Sequence, residues 1–151
     1  MGFLPVFDGF KTLLETDADI IAFVSGKWNA TLTVKQVFKK KPEIGNEEMP
    51  IVLITAPRTK KEQETGISHE RKRIVRLYCG FKQHNKELGA REIIEFEEVL
   101  DKAILKSDSL LRSIPGVDSI EAGDEENDEG ANHPDYFLVM EYSVLMEEVY
   151  G

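Results

Sequence analysis

Cysteine is all but missing from this 151-residue chain, where Cys79 stands alone. No intramolecular disulfide is available, and no Cys/His cluster has zinc-site spacing, so the fold must rest on packing, as in a reducing compartment. Also lacking is a basic segment leading into an apolar run at the start. The longest clean apolar stretches, such as residues 51–54, are far too short to cross a bilayer, so neither export nor membrane insertion is expected. Met1-Gly2 lacks the Ser or Thr that myristoylation needs, since Val6 stands there. Asn29-Ala30-Thr31 is formally a glycosylation sequon, which means nothing without a signal peptide.

What is present is enough for one domain spanning residues 1–151, because 41% of the chain is apolar and the length is common for a single core. The net charge of −9 is unevenly distributed. Residues 27–86 carry 14 basic and six acidic residues, whereas residues 87–151 carry four basic and 18 acidic ones. Faces of opposite sign favour head-to-tail association of identical copies. Folding that interleaves the two halves would instead leave no net patch.

Val6, Phe7, Phe10, Leu13 and Leu14 recur at helical spacing, and Asp17 can cap a second segment carrying Ile20, Ile21, Phe23 and Val24. The expectation is an N-terminal helix broken at residues 16–19 and capped at Gly26. Residues 31–38 alternate, and residues 51–55 form a β-branched run between Pro50 and Pro57, which reads as two strands. Residues 73–81 alternate as a third strand. Residues 86–113 step by three and four through Ile93, Phe96, Leu100, Ala103, Ile104 and Leu111, with Glu92, Glu95, Glu98 and Asp101 assigned to the wet side of this helix. A short strand at 117–120 and a long one at 136–149 complete the order. Mobile loops are expected near 39–49, 58–70 and 122–135. The fold class is α+β: a mixed, mainly antiparallel sheet of about four to five strands, with two helices packed on one face.

No catalytic constellation emerges. Ser25-Gly26-Lys27 lacks the other residues of a phosphate loop, since Ile21 and Trp28 occupy the required positions. His69-Glu70 begins like a zinc-protease helix, yet Arg73 stands where the second His belongs. His84 and His133 read as surface residues, and Cys79 reads as a buried hydrophobe in an alternating strand. Asp124, Glu126 and Asp128 alternate like a calcium loop, but Glu129 fills the glycine position. Neighbouring acids of the last helix read as a solvated face. No enzyme activity, cofactor or metal is expected.

Lys39, Lys40, Lys41, Arg58, Lys60, Lys61, Arg71, Lys72 and Arg73 cluster at loops that could converge on one sheet edge. They lack interleaved aromatics, so solvated strand ends or a surface for an acidic neighbour suit them better than specific nucleic acid. The candidate subunit or partner interface comprises Lys39, Lys40, Lys41, Arg58, Lys60, Lys61, Arg71, Asp124, Glu125, Glu126, Asp128 and Glu129.

The opening helix 7–24 running into Lys27-Trp28, the stretch Glu48-Met49-Pro50-Ile51-Val52-Leu53-Ile54, the strand 73–81 followed at once by a long helix, and the final strand 136–149 together form a pattern over nearly the whole chain. That pattern resembles the small tail terminator or tail-completion proteins of long-tailed bacteriophages and prophages. The resemblance implies a non-enzymatic virion subunit, assembled in the bacterial cytoplasm, that forms a homo-oligomeric ring, commonly a hexamer. Such a ring caps the tail tube, ends its polymerisation and offers a head-tail joining surface, with the tube protein and head-tail connectors as partners. The acidic segment 118–135 is longer than this plan requires, which leaves open a neighbouring head-tail joining position. Two other readings stand beside it. One is a small ligand-binding domain or enzyme with a site built from scattered residues, and the other is an adaptor recruiting a basic partner through its acidic loop.

Overall fold

The computed structural model describes residues 4–37, 49–55, 58–61 and 68–149. Helix α1 (Leu4–Thr16) buries Val6, Phe7, Phe10, Leu13 and Leu14 along one stripe. It ends because Asp17 takes an extended backbone, and its carboxylate accepts hydrogen bonds from the amides of Asp19 and Ile20 at 3.0 and 3.1 Å. This cap starts α2 (Ala18–Trp28), so the expected break falls where Asp17 predicts it. The end of α2 differs from expectation. Asn29, at φ 47° and ψ 48°, is the C-cap, and Gly26 lies inside the helix. Asn tolerates the left-handed conformation that stops a helix, so α2 runs on past Gly26 and brings Trp28 against the core.

Strands β1 (Thr33–Val37), β2 (Ile51–Thr55), β3 (Arg58–Lys61), β4 (Ser68–Lys82), β5 (Val117–Asn127) and β6 (Asp135–Val149) form one sheet. Five lie in the order β1-β2-β4-β6-β5, and the short β3 also pairs with β4. Only β1 and β2 are parallel to each other. All of β2 is buried, as a β-branched strand between two neighbours requires.

Side-chain parity divides the two longest strands. Val75, Leu77, Cys79 and Phe81 stand opposite Tyr142, Met140, Leu138 and Tyr136, and all eight are buried. The alternate positions carry Arg76 opposite Glu141, joined by an ion pair at 3.0 Å. One sheet face is therefore covered and the other is half wet, which is the alternation the sequence shows. Each fully buried Phe or Leu on the covered face contributes about 1.5–3 kcal/mol.

Helix α3 (Lys86–Leu105) packs on that covered face, capped by Asn85, whose side chain accepts from the Leu88 amide at 3.1 Å. Gly89 allows the approach, since a Cβ there would fall 2.2 Å from Tyr136 Cζ. The helix does not continue to residue 113. Arg112 donates to the carbonyls of Leu105 and Lys106 at 2.7 and 3.0 Å, and Ser109 caps a separate 3-10 helix, Leu110–Ser113. The weak helix formers Ser107, Asp108 and Ser109 make this break, and the side-chain cap satisfies the last carbonyls of α3.

Two expected loops are partly strand. Arg58–Lys61 forms β3 and β4 already begins at Ser68, while residues 122–127 continue β5. Their charge is no bar to this, because a backbone ladder at a wet edge needs no apolar side chain. Residues 39–48 lie outside the described residues.

Candidate interaction surface

The basic candidates divide between two places. Lys39, Lys40 and Lys41 lie outside the described residues, whereas Arg58, Lys60 and Lys61 stand on β3 with Arg71 facing Lys61 across the ladder. Lys60 likewise stands opposite Lys72.

The acidic candidates belong to β5 and to the turn that follows it. Asp124, Glu125 and Glu126 are strand residues, and every residue from 121 to 126 is exposed. Burial does not hold this half of β5; pairing with β6 does, with a register shift between Ala122 and Glu125. Asp128 and Glu129 lie in a closed turn. Asp128 accepts from the Gly130 amide and from Asn132 Nδ2, each at 3.1 Å, and Asn127 accepts from the Glu129 amide at 2.8 Å. Glu129 and Gly130 take φ values of 52° and 78°, the left-handed pair that turns the chain. An acidic loop for recruiting an adaptor partner is thus replaced by an acidic strand edge with a structured turn.

A group that sequence reading missed joins α3 to β5. Glu97 and Asp101, one helical turn apart, place carboxylate oxygens within 4.8 Å of each other and of Glu125. Burial, then a hydrogen bond to Glu125, pushes Glu97 up to about 7. Asp101 is also raised by burial, against the opposing effect of the hydrogen bond it accepts from Tyr142. Burial and this same contact raise the Tyr142 hydroxyl. Protonated, Glu97 donates to the Glu125 carboxylate, which relieves the repulsion and ties the strand edge to the helix. Three oxygens could also approach a hard cation, although the protonated state of Glu97 competes with that use. The i,i+4 spacing of Glu97 and Asp101 was the signal in the sequence, hidden among neighbouring acids.

The remaining candidates fall where packing places them. Cys79 is buried, and burial raises its thiol pKa, which keeps it protonated. His84 is exposed. His133 Nδ1 lies 2.8 Å from the Tyr136 hydroxyl, beside a cleft lined by Lys86, Ala90, Ile94 and Gly130. His69 is on β4 opposite Glu148. Among the described residues, no Ser–His or Cys–His hydrogen bond and no His-based metal cluster is formed. No described helix is long and apolar enough to cross a membrane.

No protein-family model matches this chain, and no curated protein matches it. Among solved structures, a chain from the virion of a native gene transfer agent particle has a similar fold, with a TM-score of 0.64 and 10% sequence identity. The likeness covers 94% of this chain and 94% of that one, so both share one α+β architecture from end to end.

Proposed function

We propose that this protein is a structural subunit of a phage-like particle, and specifically one that forms a ring on the end of the tail tube. The observation that carries this reading is the end-to-end fold likeness to a chain of a gene transfer agent virion. The segregation of basic residues onto β3 and acidic ones onto β5 supports it, because a ring needs two different complementary faces on each subunit. In this role the protein ends tube polymerisation and presents a joining surface to head-tail connector proteins. Its work is done by surface matching, without bond-making chemistry.

The test uses the full chain and a phage tail tube protein. Light scattering should find a closed oligomer, about six copies, and electron microscopy should find rings. Added during tube growth, the protein should cap tubes and shorten them. Tubes that lengthen unchanged in its presence, with no binding at their ends, would remove the terminator role.

A further inference from the structure

We propose that the outer edge of β3 in one copy pairs with the outer edge of β5 in the next, joining identical copies head to tail through a continuous sheet. This deepens the ring-forming reading above and rests on it.

The register of four strands places these edges on opposite sides of the same rows. Arg58 stands opposite Ile74, which stands opposite Ser143, which stands opposite Glu121. The next row runs from Thr59 through Arg73 and Val144 to Ile120, and the third runs from Lys60 through Lys72 and Leu145 to Ser119. Each row is a path of backbone pairing that ends at β3 on one side and at β5 on the other. Among the described residues, no strand pairs with the outer side of either. A strand edge that no other strand takes is a template for pairing with another chain.

Direction fits as well as position. Because β3, β4, β6 and β5 alternate in sense along the rows, a second copy added in the same orientation sets its β3 antiparallel to β5 of the first. No inversion of the incoming subunit is needed. The contact is therefore heterologous and repeats, so it closes a ring if the rotation between copies closes.

Charge then selects this pairing over the alternatives. Three of the four residues of β3 are basic, while β5 carries Asp118, Glu121, Asp124, Glu125 and Glu126 and no basic residue. Pairing β3 with β3, or β5 with β5, sets like charges together and is repelled. Pairing β3 with β5 is attracted. A four-residue strand spans only about 13 Å, so this contact sets register, while neighbouring surface completes the interface.

Sedimentation equilibrium on the full chain tests the proposal in three arms. Wild-type association should weaken by roughly tenfold or more between about 50 mM and about 500 mM salt. R58E/K60E/K61E and D118K/E121K/D124K should each associate at least about tenfold more weakly than wild type, and an equimolar mixture should restore assembly, because every β3–β5 contact then regains opposite signs. Carbodiimide cross-linking of the wild type should join Lys60 or Lys61 of one copy to Asp118, Glu121 or Asp124 of another, a readout that needs no variant to fold. If the wild type assembles but neither variant nor salt changes this, and no such cross-link forms, edge pairing is overturned while ring assembly stands. A wild type that stays monomeric at every concentration overturns both.

Discussion

The Trp28 indole N–H donates to Glu92 Oε1 at 3.0 Å, bonding the last residue of α2 to a carboxylate that is only 4% exposed. Gln83 donates to the same oxygen at 2.9 Å. Glu92 is thus a buried acid held by two neutral donors, and it sits beneath a stack in which Trp28 and Phe81 lie 4.6 Å apart. Its spacing on α3 predicts a wet position, and the two donors are what allow it to be buried instead.

Removing one donor tests this arrangement. Trp28→Phe keeps a ring against Phe81 but leaves Glu92 with Gln83 alone. It should cost about 1–3 kcal/mol, measured by urea unfolding. A variant as stable as wild type would show that Glu92 is satisfied without the indole.

The two candidate caps of α2 should respond in opposite directions. Gly26 lies within the helix, and a Cβ there would meet nothing within 4 Å. Gly26→Ala should stabilise by about 0.5–1 kcal/mol through helix propensity. Asn29→Ala should destabilise by about 1 kcal/mol because its φ is positive, whereas Asn29→Gly should be tolerated. Thermal melts of the three variants decide it, and a destabilising Gly26→Ala would return the cap to that residue.

Glu97 gives the fold a pH dependence of defined sign. Its folded-state pKa of about 7 lies above its ordinary value of 4.5, so the folded protein binds the proton more tightly than the unfolded chain does. The contribution of this group to stability is therefore full below about pH 4.5 and falls as pH rises towards about 7. Glu97→Gln imitates the protonated side chain and should match wild type at low pH. At pH 8 it should melt a few degrees higher, an effect moderated by the solvent that reaches this site. Equal gaps between variant and wild type at both pH values would exclude Glu97 as the group concerned.

The sequence by itself determined the elements whose side chains must alternate between core and water. The stripe from Val6 to Leu14, the β-branched run of β2 and the parity of β4 and β6 follow from periodicities of 3.6 and 2.0, because burial acts on every repeat, and the cap at Asp17 follows from its side-chain oxygen. Strand β3 and the outer half of β5 were hidden from that reading. Their residues are charged, and what makes them strands is a backbone ladder to β4 and β6, a partner distant in the chain. Tertiary structure alone decided that Glu92 would be buried, that Glu97 and Asp101 would meet Glu125, and that basic and acidic residues would stand at opposite ends of the same strand rows. Side-chain periodicity records which face of an element is dry. It carries no record of which backbone will arrive at an edge, and that arrival placed the charges of β3 and β5.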